Sequence, residues 1–393
     1  MTIYDFTTRP NRTHQHAEKW KKVEVDPDIL PLWIADMDFE PLPEIRQAIR
    51  EYAEQHIFGY SYASDSLYQS IIDWEETQHH YSIAKESILL IEGVVPALSI
   101  AIQALTKEGE AILINTPVYP PFARTIKLNQ RHLVTNSLLI EEGVFKIDFE
   151  QLERDIVDHH VKLYIFCNPH NPGGRVWSKE EVAKVGELCR KYGVLLISDE
   201  IHQDLTLYGH KHHSFNTVDN TFKEFSIILA SATKTFNIAG TKNSFVIIEN
   251  PTLRKAFAKQ QLANNHHEIS SIGLLATETA FRYGRDWLTE LKSVLETNIN
   301  FVTDYLEQNT RIQVMKPQGT YLVWLDFSAY DLEHVELLSI LETRAKVILN
   351  DGLTFGKEGK LHARLNTAAP FETIKEACLR IEKVFGMRMN KED

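Results

Sequence analysis

Lys234 ends the stretch "SATK" (Ser231–Lys234), directly after the apolar run "FSIILA". A lysine at the end of a buried strand loses water, and a desolvated amine has a lowered pKa and becomes a usable nucleophile or base. Its long stem could instead carry the charge out to solvent. A second strand-like run, "LLISDEIHQDL" (Leu195–Leu205), ends in Asp199 and His202, three residues apart, with Glu200 and Asp204 beside them. That cluster is open to three readings: a metal pair, a catalytic pair, or a solvated strand end. Two ligands make an incomplete metal site and the spacing marks no third, so no metal is expected. "GHKHH" (Gly209–His213) and "NNHHE" (Asn264–Glu268) also lack fixed ligand spacing and read as solvated or pocket-rim loops, the second one near the entrance of a site.

The elements that must position these residues alternate strand and helix. "SILLIEG", "EAILINT", "VKLYIFC", "VLLISDEI" and "FSIILA" read as buried strands. "PALSIAIQAL" and "SKEEVAKVGELCRKYG" read as helices, the latter with Ser178 and Glu181 spaced as a capping box and Gly193 as its stop. Near-continuous apolar strands between amphipathic helices imply a mostly parallel sheet covered on both faces. Beyond residue 285 the texture becomes that of a smaller α+β domain, with a long helix over Trp287–Glu307, strands "IQVM", "TYLVWLDF", "AKVILNDG" and "KLHARLN", and a closing helix. The expected division is an N-terminal segment, 1–45, returning to the small domain, a large domain over 46–285 and a small domain over 286–393.

Open parallel sheets bind ligands beyond the carboxyl ends of their strands. The residues there are "EGVV" (Glu92–Val95), "TPVYPPF" (Thr116–Phe122), "NPHNPGG" (Asn168–Gly174), "SDEIHQD" (Ser198–Asp204) and "SATKTFNIAGTK" (Ser231–Lys242). They supply a glycine-opened helix start, an aromatic between prolines, an amide, a carboxylate and a lysine among hydroxyls.

The 393 residues suit a large domain plus a smaller one, and 43% hydrophobic with 24% charged residues is an ordinary globular composition. A net charge of −12 argues against nonspecific nucleic-acid binding or an anionic membrane surface. The three cysteines, Cys167, Cys189 and Cys378, form neither a disulfide framework nor a CxxC signature. The first twenty residues lack a signal-peptide core, and no run reaches the roughly 18 apolar residues of a membrane span. A cytoplasmic location is the expectation.

Seven blocks, in family order, resemble the fold-type I pyridoxal-5′-phosphate enzymes of the aspartate aminotransferase superfamily (class I/II). They are "PLWIADMDF", "IFGYS", "GVVPAL", "NPHNPGGRVW", "SDEIHQDL", "SATKTFNIAG" and "HARLNTAAP", and within the superfamily they are most similar to the cystathionine β-lyase (C–S lyase) branch. The resemblance runs from about residue 33 to 370. It implies a large cofactor domain with a mostly parallel seven-stranded sheet between helices, a small α+β domain, and a homodimer whose active site is shared. It also implies β-elimination from S-substituted cysteines such as L-cystathionine, in cysteine and methionine metabolism. An aminotransferase is the alternative, as is a lyase that doubles as a regulatory binding protein.

On this resemblance Lys234 holds the cofactor and then moves the Cα proton. Asp199 pairs with the pyridinium nitrogen, Asn171 hydrogen-bonds the ring's phenolic oxygen, and Tyr119 stacks on the ring. Val94 and Val95 offer the phosphate their N–H groups at a helix start. Ser231, Thr233 and Lys242 add a hydroxyl or charge each, and Tyr60 reaches the phosphate of the neighbouring subunit. Arg364 clamps the substrate carboxylate, with Asn171, Tyr60 and the Ala35 backbone closing that end. Lys242 stands where arginine is usual, "NPGG" where "NPTG" is commoner, and "GVV" lacks the usual glycine-rich or hydroxyl-bearing form. His202 stands where aminotransferases place tyrosine, which favours the lyase; its position is expected near the oxygen side of the ring.

Overall fold

The computed structural model describes residues 4–55 and 57–386. Seven strands form the central sheet: β1 (Ile88–Ile91), β2 (Ala111–Thr116), β3 (His132–Ser137), β4 (Leu163–Cys167), β5 (Leu195–Asp199), β6 (Ser226–Ala230) and β7 (Ser244–Ile247). Their spatial order is β1-β7-β6-β5-β4-β2-β3, and β7 alone runs antiparallel to its neighbours. Every residue of β2, β4 and β6 is buried, as strands covered on both faces require.

The connecting helices carry their own stop and start signals. Ser178 accepts from Glu181 N–H while the Glu181 carboxylate accepts from Ser178 N–H, closing the capping box of helix Lys179–Tyr192, and Gly193 ends it at φ 65°. Helix Val94–Leu105 differs: its N-cap is Gly93, which has no side chain to cap the first turn.

A second sheet is antiparallel throughout: β8 (Gln313–Met315), β9 (Leu322–Asp326), β10 (Asn350–Asp351) and β11 (His362–Asn366), in the order β8-β9-β11-β10. Helices Arg285–Asn309 and Phe371–Phe385 pack against each other beside it. The N-terminal segment reaches this part of the chain through Leu30–Pro31, which pairs in parallel with Val347–Ile348. Helix Pro43–Gln55 turns the other way and packs on helix Ser271–Tyr283.

A buried charge cluster pins the N-terminal segment. Lys19 (1% exposed) and Asp38 (0%) are joined by Arg9, Arg12 and Asp36, and Trp20 Nε1 donates to Asp38 Oδ1 at 3.1 Å. Burial alone would raise the Asp38 pKa, but the three cations and the indole donor hold it below its ordinary value. The cluster adjoins Trp33 and Ala35, whose carbonyls accept from residues of the site described next.

Candidate active site

The carboxyl ends of β1, β2, β4, β5 and β6 open onto one cavity of about 470 Å³. Val94 and Val95 border it after β1, Tyr119 after β2, Asn171 after β4, His202 after β5, and Thr233 with Lys234 after β6. Antiparallel β7 enters where the others leave, so Lys242, just before it, and Ser244 join the same wall. Ala35 closes the side toward the small sheet.

Lys234 lies in the short helical turn Ala232–Thr235, and its Nζ donates to Ala35 O at 2.5 Å. That carbonyl also accepts from the Tyr321 hydroxyl at 3.0 Å. Burial brings the lysine down to about 8; Arg364 and Lys19 act with it, while Asp36 and Asp199 oppose it. Asp199 is 3% exposed, and burial pushes its carboxyl up to about 7. Ile201 N–H, at 3.2 Å from Oδ1, donates its one hydrogen bond among the described residues. His202 is equally buried, its Nδ1 has no partner, and desolvation with Lys234 and Arg364 nearby takes it down to about 3, so it is a neutral imidazole.

Arg364, on β11, is 4% exposed and forms no ion pair among the described residues. Its guanidinium instead donates to three neutral oxygens: Asn171 Oδ1 at 2.8 Å, Trp33 O at 2.9 Å and Asn350 Oδ1 at 2.5 Å. Its Nε has no partner, its plane sits 4.9 Å over Phe355, and burial lowers it to about 10. Because Oδ1 of Asn171 is engaged, Nδ2 is what Asn171 offers a ligand. A buried guanidinium without a carboxylate partner is costly unless an anion joins it.

These shortages suit pyridoxal phosphate. A protonated ring nitrogen is the cation Asp199 lacks, the uncapped N–H groups of Val94 and Val95 suit an anion, and the Lys234 amine faces the space between them. Thr233 borders the cavity, while Ser231 stands behind it with its hydroxyl 2.8 Å from that of Thr233. Lys242 is exposed, in a left-handed turn at φ 56°. Tyr60 is not brought in: it is 99% exposed, outside the cavity of its own chain. Sequence reasoning missed Trp33, Asn350 and Tyr321, which contact Arg364 or Ala35 only through pairing of distant segments, with no local motif to mark them. Glu92 also borders the cavity and is hydrogen-bonded to His266, which places the "NNHHE" loop at its rim.

An α/β sheet of this order, with amine, carboxylate and guanidinium meeting at its carboxyl edge, defines a class of cofactor-bearing enzyme fold. The comparisons give the family: residues 27–381 match aminotransferase class I and II, and the chain belongs to that family. Cystathionine β-lyase PatB of Bacillus subtilis is 39% identical over 382 residues, 96% of this chain and 99% of PatB. The cystathionine β-lyase of Corynebacterium glutamicum is 33% identical over 93% of this chain and 96% of its own. Among solved structures, cystalysin of Treponema denticola, which contains a pyridoxal 5′-phosphate cofactor, superposes with a TM-score of 0.94 at 34% identity, covering 98% of this chain and 99% of its own.

Proposed function

We propose that this protein is a pyridoxal-phosphate-dependent β-lyase that cleaves the Cβ–S bond of S-substituted cysteines such as L-cystathionine. The observation that carries the reading is the buried, acid-free Arg364, hydrogen-bonded to Asn171 in the wall of the cavity that Asp199 and Lys234 border; the likeness to cystathionine β-lyases supports the reaction class. When bound, the cofactor supplies an aldehyde that takes up the substrate amine and a protonated ring that draws electrons from Cα.

Arg364 fixes the substrate carboxylate as a planar fork, and Asn171 aligns it. Asp199 keeps the ring nitrogen protonated. Lys234, lowered to about 8 by burial, is neutral often enough to take the Cα proton at Nζ and return one to the departing sulfur. Loss of the thiol leaves a three-carbon fragment that water converts to pyruvate and ammonia. His202 stays uncharged between two cations and adds no competing base. An aminotransferase would use the same groups but would need a keto acid to complete each cycle.

The large and small domains are assigned to 46–285 and 286–393, with the N-terminal segment as far as helix Pro43–Gln55 packing on the latter and residues 1–3 and 387–393 lying outside the described residues, and the active form to a cytoplasmic homodimer. Ile57, Phe58, Tyr60 and Tyr62 are 91%, 67%, 99% and 90% exposed, an apolar strip that a second copy would cover while delivering Tyr60 to its phosphate. Borohydride reduction of the holoenzyme tests the chemistry. The pyridoxyl mass is expected on the Lys234 peptide and on no other; its appearance elsewhere, or its persistence in Lys234→Ala, contradicts the assignment.

A further inference from the structure

The "GHKHH" loop and the second half of "DEIHQD" have no part in the reaction, yet they meet in a second cavity of about 470 Å³. Its walls bring Lys179, Lys211 and Lys292 together with His210, His212 and His213, in a chain whose net charge is −12. The three lysines form no ion pair or hydrogen bond among the described residues. Of the acids nearby, Asp204 and Glu296 act electrostatically on Lys292, and Asp204 and Glu200 are hydrogen-bonded from behind. Asp204 accepts from Trp74 Nε1 at 2.9 Å and Thr235 Oγ1 at 2.6 Å, and lies 2.8 Å from His79 Nε2. Glu200 accepts from Ser198 Oγ and Phe215 N–H and lies 3.0 Å from His212 Nε2.

Lysine and histidine make up most of the polar wall. The His212 side chain is 1% exposed, its Nε2 lies against Glu200, and its Nδ1 has no partner. Gln203, 3% exposed, has one acceptor without a donor, Oε1, because its Nε2 is spent on Glu75. No three His, Cys, Asp or Glu side chains among the described residues are arranged to hold a metal ion, so the histidines do not make a zinc site. Ammonium groups without an ion pair, gathered around one cavity, suit an anion.

We infer that this cavity is a binding site for a small phosphate-type oxyanion, separate from the catalytic cavity. Three ammonium groups supply charge and donors, and Gln203 Oε1 accepts the O–H that hydrogenphosphate retains. The site stands one hydrogen bond behind the catalytic turn, through Asp204 and the Thr235 hydroxyl next to Lys234.

Isothermal titration of inorganic phosphate into holoenzyme at constant ionic strength tests this, the bound cofactor keeping the first cavity occupied. One saturable site per chain is expected, weakened about threefold or more in each of Lys211→Gln and Lys292→Gln, as loss of one close charge implies. No saturable binding, or binding equally strong in both variants, overturns the assignment.

Discussion

Asp199 makes opposite contributions with and without the cofactor. Its carboxyl is pushed from 3.8 up to about 7 by burial, so it favours folding of the cofactor-free protein fully below pH 3.8 and loses that contribution as pH rises through 7. Asp199→Asn is therefore expected to stabilise the cofactor-free protein at pH 8 by up to ~4 kcal/mol, read as a higher melting temperature. In the holoenzyme the sign reverses: the variant loses the charge facing the ring nitrogen, and activity falls on the order of a hundredfold or more. Equal melting temperatures at pH 8 for the two cofactor-free proteins would argue against a strained carboxylate. Part of the pH dependence persists in the variant, because buried Glu75 is also pushed up to about 7. Asp199 and Lys234 were readable from sequence because a polar residue at the end of an apolar run has few structural reasons to be there. Asn350, Trp33 and Tyr321 were not readable: Trp33 meets Arg364 across 331 residues of chain, a distance no local pattern encodes.

At the scale of elements, five of the seven central strands were readable as buried apolar runs. β3 was not, because "HLVTNS" is an edge strand with half-wetted residues, and β7 was not, because its antiparallel direction leaves no local trace. "AKVILNDG" reads as one strand but divides into Val347–Ile348, which joins the N-terminal segment, and Asn350–Asp351, which joins β11. The start of helix Val94–Leu105 was legible through its glycine, and the absent cap is the functional point. Gly93→Asp would give that helix a side-chain N-cap worth about 0.3 kcal/mol over glycine, less what is lost when the new Cβ meets Pro96 Cδ at 3.3 Å. The same carboxylate would occupy the N–H groups and repel phosphate. Cofactor affinity is expected to fall at least about tenfold while the cofactor-free protein keeps or gains stability. Unchanged affinity would remove the helix start from the phosphate site.

For the whole molecule, the proposed homodimer would make the second subunit part of the chemistry through the exposed strip around Tyr60. Mixed dimers of Tyr60→Ala and Lys234→Ala, each nearly inactive alone, contain one intact site and should recover about a quarter of wild-type activity after subunit exchange. No recovery would confine each site to its own chain. The fold alone leaves β-elimination and amino transfer equally served, since both need the same amine, carboxylate and guanidinium. The most direct measurement is pyruvate release from L-cystathionine by holoenzyme with no keto acid present. The account predicts sustained turnover, with homocysteine and pyruvate formed in equal amounts far beyond the enzyme concentration. A reaction that stops after one equivalent per site and resumes on adding a keto acid would contradict it.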